Sequence, residues 1–184
     1  DVAAIGAMCR ARDITYMVDA CQSVGQLPLS VEEIGCDFLS ATSRKYLRGP
    51  RGAGFLYVSD RALDLGLEPM FPDLRGADWI APDLYQPAPD AKRFETWEFA
   101  WGLVLATGVA ARYALDLGLE EIRDRAWELA AQLRVSLAAL DGVRVLDHGA
   151  QLSATVTASV RGWSPPDLVR ELRRRRINTT GQAR

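Results

Sequence analysis

Lysine is nearly missing from this chain. Of its 22 basic side chains, all but two are arginines, and there is a single histidine. Cysteine is scarce too. Cys9, Cys21 and Cys36 are odd in number and lack zinc-like spacing, which argues against a disulfide framework or a zinc site and fits reduced thiols in a cytoplasmic setting. No metal site is expected, because the one histidine, His148, falls in a turn and reads as a surface residue. Strong charge of either sign is absent. A net charge of -2 and a pI of about 5.5 create no global field toward nucleic acid or an anionic membrane. Apolar runs stay well short of the roughly 18–20 residues that span a bilayer, and no signal-peptide pattern opens the sequence.

What is present is ordinary globular material, 48% hydrophobic and 25% charged over 184 residues. That suffices for one domain, or one domain plus part of another. Residues 2–12 have helical periodicity. Ile14 to Val18 reads as a buried parallel strand ending at Asp19. Ser30-Val31-Glu32-Glu33 has the form of a capping box, so a short helix follows Ser30. Asp37 to Thr42 and Gly54 to Val58 read as further strands, which makes an α/β sheet with ligands gathering beyond the strands' carboxyl ends. Residues 66–96, rich in Pro, Gly and Asp, are expected to form a long loop without regular structure. Trp97 to Leu117 and Leu119 to Leu140 read as long helices, and Val143 to Leu146 and Ala154 to Val160 as strands. A last helix, capped by Ser164 with proline in its first turn, is expected through Arg176. The Arg173–Arg176 run reads as a solvated helix face, since Leu168 and Leu172 supply the core side. Both ends look like interior segments: a helix already under way, and Ile177 to Thr180 as a strand without its partner. The chain is therefore expected to be a piece of a longer polypeptide.

One of the two lysines, Lys45, lies in Thr42-Ser43-Arg44-Lys45-Tyr46-Leu47-Arg48-Gly49-Pro50-Arg51-Gly52-Ala53-Gly54. A guanidinium stays protonated below about pH 12 and is no nucleophile. A primary amine can lose its proton and condense with an aldehyde. An amine in a chain otherwise served by arginine points to Schiff-base chemistry, with pyridoxal phosphate as the aldehyde; the plain alternative is a surface lysine in a glycine-rich loop. Asp19, at a strand end, suits the pyridine nitrogen of that cofactor, because a carboxylate beside it keeps the ring protonated. The alternative for Asp19 is a turn or cap aspartate. Gln22 can donate its amide to the ring oxygen, or simply be solvated. Gly49, Gly52 and Gly54 are expected to serve a tight turn with φ > 0.

Three motifs occur in order: Asp19-Ala20-Cys21-Gln22, Thr42-Ser43-Arg44-Lys45 and Gly49-Pro50-Arg51-Gly52-Ala53-Gly54. Together they resemble the fold-type I pyridoxal-phosphate enzymes of the class V aminotransferase group. The resemblance implies Asp19 on the pyridine nitrogen, Gln22 on the ring oxygen, Lys45 as the Schiff-base lysine, and Thr42 and Arg44 at the phosphate. Arg44 stands where the group usually has histidine, a change guanidinium chemistry accommodates. The implied fold is the large α/β domain of that group, a mostly parallel sheet with helices, over residues 1–117. A bridging helix and the start of a small α+β domain follow over 118–184. Enzymes of the group are dimers with shared sites, so a homodimer acting on a small amino acid is expected.

Residues 37–52 and Arg93-Phe94-Glu95-Thr96-Trp97-Glu98 are most similar to the C–S lyases of ergothioneine biosynthesis. The group's usual Gly-Thr pair is missing at the second segment, with Thr96 as its substitute and Trp97 as a further substrate contact. The reaction implied is β-elimination from hercynylcysteine sulfoxide, in which a sulfenate departs from Cβ and a thiol reductant supplies the two electrons that complete ergothioneine, with pyruvate and ammonia as the other products. Its quaternary ammonium would favour aromatic walls, and Trp79, Tyr85, Trp97 and Trp101 are candidates, each with a core or interface role as the alternative. Cysteine desulfuration is disfavoured because all three cysteines precede Lys45. An aminotransferase or an isopenicillin N epimerase-like enzyme is the alternative, and a non-catalytic α/β binding domain the second.

Overall fold

In the computed structural model, which describes residues 1–182, the chain divides into two units. The first runs over Asp1–Arg123, and the second begins at Asp124. The first opens with α1 (Val2–Arg10), capped by the Asp1 carboxylate, which accepts the Ala4 N–H at 3.0 Å. The Ile14 N–H turns back to the Cys9 carbonyl at 2.9 Å and helps close that helix end. This is why the strand expected from Ile14 starts later, as β1 (Met17–Asp19). Nor is that strand buried: Ile14 and Met17 are exposed, and β1 stands at the end of its sheet's strand order.

Ser30 caps α2 (Val31–Ile34), accepting the Glu33 N–H at 3.1 Å, although its hydroxyl donates to Glu32. Next come β2 (Phe38–Thr42) and β3 (Gly54–Val58), and the three strands form a sheet in the order β1-β2-β3. The pair β1–β2 is parallel, with Asp19 opposite Ser40; β2–β3 is antiparallel, with Thr42 opposite Gly54. Among the described residues this sheet has one parallel and one antiparallel pair, within the α/β class that the sequence implies. A connection without a helix cannot carry the chain back to start a parallel neighbour, so β3 returns alongside β2.

Ala20, Ile34, Cys36, Leu39 and Ala41 form the buried core, with Tyr16, Val18, Val24, Val31 and Tyr57 packed on it. One buried carboxylate ties the sheet's near end. Asp37, 1% exposed, takes both oxygens to Arg61 Nη1 at 2.8 Å and accepts the Tyr16 N–H at 2.9 Å. Arg61 comes from α3 (Asp60–Asp64), whose cap is Ser59.

The stretch 66–96, expected to lack regular structure, contains a hairpin of β4 (Ala77–Ala81) and β5 (Leu84–Pro87) and a 3-10 turn over Ala91–Phe94. Trp79, Ile80 and Tyr85 favour a pleated surface, Trp79 pairs with Tyr85 across the strands, and Pro82-Asp83 supplies the turn. Then α4 (Trp101–Leu117) begins four residues later than the apolar pattern suggests, and α5 (Leu119–Ala138) follows Gly118. No single helix among the described residues is long and apolar enough to cross a membrane.

The second unit contains the rest of α5, an antiparallel pair of β6 (Val143–Val145) and β7 (Ala158–Val160), and α6 (Pro165–Arg174). β7 is shorter than its alternating pattern. The carbonyls of Ser153 and Thr155 accept from Arg134 at 2.6 and 2.9 Å, so that backbone is engaged outside the ladder. Arg134 also pairs with Asp147 at 2.8 Å, both side chains largely buried. After α6, Ile177 N–H returns to the Leu172 carbonyl at 2.9 Å, which closes the helix end. Residues 177–180 form no strand. His148 is exposed.

Candidate active site

Two loops leave the carboxyl ends of β1 and β2 and meet. In the first, Ala20 N–H bonds the Ser40 carbonyl at 2.8 Å, which extends the β1–β2 pairing past Asp19. The backbone then folds tightly, with Ser23 and Val24 N–H both returning to the Ala20 carbonyl at 3.0 Å. Gln26, almost fully buried, donates its amide to the Gln22 carbonyl at 2.9 Å and braces that turn.

The second loop is held from inside by Ser43, which is wholly buried. Its hydroxyl lies 2.6 Å from the Pro50 carbonyl and 2.9 Å from that of Ala53. Ser43 N–H bonds Ala53, and Gly49 N–H returns to Ser43 at 2.7 Å. Between these clamps, Arg48 N–H bonds the Lys45 carbonyl at 2.9 Å, so residues 45–48 form a turn. Of the three glycines expected to need positive φ, only Gly52 has it, at +88°. Gly49 and Gly54 serve close approach instead: a Cβ on Gly49 would lie 2.8 Å from Ser43 Cβ, and one on Gly54 would press into the Ala41 carbonyl.

The loops are locked together at Gly25, whose φ is +81°. A Cβ there would lie 2.5 Å from Leu47 Cα and 2.6 Å from the Tyr46 carbonyl carbon. Only a residue without a side chain lets the first loop rest on the backbone of the second. A cavity of about 460 Å³ opens at this contact, lined by Gln22, Gly25, Lys45, Tyr46, Arg48 and Ile122.

Asp19 stands at the edge of this arrangement, its Oδ1 accepting the Cys21 N–H at 2.9 Å. Hydrogen bonds from the Cys21 thiol and backbone hold its carboxyl below the usual range, and the Lys45 charge adds to them against slight desolvation. The same contact raises the Cys21 thiol, chiefly through its hydrogen bond to Asp19, with burial and the Asp19 charge adding. Asp19, Cys21 and Lys45 are thus within electrostatic reach of one another. The group offers an ionised carboxylate, an amine and an amide at the ends of two adjacent strands.

The remaining expected site residues lie elsewhere on the surface. Thr42 ends β2, its hydroxyl 3.4 Å from the Ala53 carbonyl, and Arg44 is exposed. Neither lines the cavity. Thr96 donates to the Glu98 carbonyl at 3.3 Å, and Trp97 is exposed; the cavity excludes both. Trp79, Tyr85 and Trp101 are also exposed and outside it. Trp101 stacks with Phe99, and the Arg75 guanidinium lies over both rings, so that pair already has a cation. Arg93 is buried and structural, donating to the Ala88 and Leu67 carbonyls at 2.9 and 3.1 Å. Gly25, Cys21 and Arg48 were missed by motif reasoning. Gly25 follows the Asp19-Ala20-Cys21-Gln22 motif by three residues, and Arg48 sits three after Lys45, so spacing alone brackets both. Among the described residues, no group of three acidic, histidine or cysteine side chains could hold a metal.

Comparison with known proteins places this geometry in context. The family model described as "Aminotransferase class-V" matches residues 1–182. The cysteine desulfurase IscS of Pasteurella multocida is 56% identical over 59 residues, which are 32% of this chain and 14% of that protein. Among solved structures, the apo cysteine desulfurase of Thermococcus onnurineus superposes with a TM-score of 0.88 at 24% identity, over 97% of this chain and 44% of its own. The cystine C–S lyase C-DES, in complex with its reaction product cysteine persulfide, superposes with a TM-score of 0.84 at 26% identity, over 96% of this chain and 48% of its own. A C-DES variant with glycine covalently linked to the PLP cofactor matches equally well. The chain thus spans about half the length of the solved structures it matches.

Proposed function

The chain belongs to the class-V aminotransferase family, and from that membership we propose that it forms part of a pyridoxal-phosphate enzyme cleaving a carbon–sulfur bond of a cysteine conjugate. The observation that carries the reading is that Lys45 and Gln22 line one cavity, with the Asp19 carboxyl within electrostatic reach of Lys45 and held below its usual range. The donor set suits the cofactor. Asp19 would keep the pyridine nitrogen protonated, Gln22 would donate to the ring oxygen, and Lys45 would take the aldehyde. Thr42 and Arg44 are the phosphate partners in this reading. Bound there, pyridoxal phosphate would supply a sink for the electron pair freed at the substrate Cα.

The chain's own residues do the rest. With the cofactor in place, Lys45 Nζ would be the base that removes the substrate Cα proton. Asp19, its carboxyl held below the usual range, would be the anionic partner of the ring nitrogen. Loss of that proton would let the C–S bond break with its electron pair leaving on sulfur, and water would then convert the three-carbon remainder to pyruvate and ammonia. Residues 1–117 would belong to the large cofactor domain and 118–184 to the bridging helix and small domain, in a cytoplasmic homodimer. The similarity at residues 37–52 and 93–98 extends the proposal to hercynylcysteine sulfoxide as substrate, with Thr96 and Trp97 near it.

Cysteine desulfuration is the second reading, favoured by the desulfurase relatives. It requires a thiol that ionises readily and can reach substrate. Among the described residues, Cys36 is buried and raised by that burial, Cys21 is raised by Asp19, and Cys9 sits on α1. These three thiols do not fit that role, so desulfuration would need a thiol from another part of the full-length polypeptide.

The test uses the full-length polypeptide. A yellow protein that borohydride fixes to cofactor at Lys45, and a colourless Lys45→Ala variant, are expected. Pyruvate and ammonia from a cysteine S-conjugate without any 2-oxo acid acceptor support the lyase. Alanine from cysteine would assign the desulfurase instead, and dependence on an acceptor would assign transfer.

A further inference from the structure

We infer that Arg48 is a specificity residue of this cavity, its guanidinium binding a carboxylate of the amino-acid substrate; the inference rests on the cofactor reading above. Three observations converge on this side chain. It lines the same cavity as Lys45 and Gln22. Its guanidinium lies over the Tyr113 ring, 5.0 Å from the centroid. Its backbone has φ +62°, in the left-handed region that side chains rarely adopt.

Several arginines among the described residues meet carboxylates. Arg61 meets Asp13 and Asp37, Arg75 meets Glu95, and Arg134 meets Asp147. Arg48 makes no ion pair among the described residues. Stacking on Tyr113 occupies a face of the guanidinium and leaves its edge, where the N–H donors lie, for an in-plane partner. That edge geometry matches a carboxylate, which accepts two parallel N–H bonds. Glycine would adopt the backbone conformation at 48 without strain, so the arginine is held there at a cost that a use for its side chain explains. The turn 45–48 places both Lys45 and Arg48 in the lining of that cavity. An amine reacting at Lys45 therefore has a fixed cation beside it.

A cysteine conjugate can offer two carboxylates, one on Cα and one on the group leaving with sulfur. L-Alanine, which has no leaving group, isolates the first. Its Kd is read from cofactor absorbance in the loaded full-length protein. Conjugates with a neutral or a carboxylate-bearing sulfur substituent isolate the second through KM. Arg48→Met is expected to leave cofactor absorbance at Lys45 intact and to weaken carboxylate binding about 10- to 150-fold, the loss of a charge-assisted bond. Arg48→Lys should recover only part of this, and Tyr113→Leu, which removes the stack, should weaken the same ligand by less than Arg48→Met.

If alanine weakens, the Cα carboxylate is the partner; if only the carboxylate-bearing conjugate weakens, it is the one on sulfur. Unchanged binding of every ligand in a yellow Arg48→Met protein would overturn the role of Arg48 alone. Loss of cofactor from that variant would also overturn it, reassigning Arg48 to the cofactor. A wild-type protein that takes up no pyridoxal phosphate would overturn both this inference and the reading beneath it.

Discussion

Gly25 rests directly on the backbone of Leu47, with no room for a Cβ between them. This close approach brings the loop that carries Gln22 against the loop that carries Lys45. It converts two strand ends into one cavity.

Gly25→Ala should therefore be severe for two independent reasons. The φ of +81° strains any L side chain, and the new methyl would drive the loops apart. A loss of about 2–4 kcal/mol is expected in chemical denaturation. Cofactor occupancy, followed by visible absorbance, should fall even where the variant remains folded.

Cys21 tunes Asp19 through its thiol. In Cys21→Ala the backbone N–H still reaches the carboxylate, but the thiol bond that does most to lower its pKa is gone. The Asp19 carboxyl should titrate higher, nearer the ordinary value of about 3.9. A carboxyl-resolved NMR titration measures this shift. Cofactor loss on the acid side should begin at higher pH than in the wild type.

The Asp37–Arg61 pair gives the fold an acid limit. Burial pushes the Asp37 carboxyl up, but bonds from Arg61 and the Tyr16 N–H outweigh it and hold the group below its ordinary value. The unfolded chain thus binds a proton at higher pH than the folded one. This stabilisation is present in full above about pH 3.9 and is lost as pH falls through the lower, folded value. Asp37→Asn should cost about 2–4 kcal/mol at neutral pH. Its Tm should also fall less steeply than the wild type's as the solution is acidified below pH ~4.

In the second unit, Arg134 takes Asp147 and two backbone carbonyls at once. Arg134→Met should leave a largely buried carboxylate unpaired and cost about 3–5 kcal/mol. Hydrogen exchange is expected to accelerate first at β6 and the 147–157 segment, with β2 affected last.

Local chemistry was legible where it is written in few neighbouring residues. The Ser30 and Ser164 caps, the strands at 38–42 and 54–58, and the α5 helix follow from side-chain oxygens, β-branched runs and helical spacing. The order of the motifs that carry Asp19 and Lys45 was visible along the chain. The exceptions all turn on partners distant in the chain or on backbone already engaged. Ile14 closes a helix instead of joining a strand, and Arg134 takes the carbonyls that would have lengthened β7. The hairpin at 77–87 was hidden by a composition rich in turn residues, although Trp79 and Tyr85 pair across it.

By itself the sequence determined the residue types on offer: a loop amine in a chain served almost wholly by guanidinium groups, a carboxylate at a strand end, and an amide three residues later. Their order along the chain was enough to suggest what they could bind. Only the tertiary structure decided which of them share a cavity. That depends on how closely two backbones approach at Gly25 and on the left-handed turn that brings Arg48 beside Lys45. Such proximity is a property of packing in three dimensions, and no local preference along the chain encodes it.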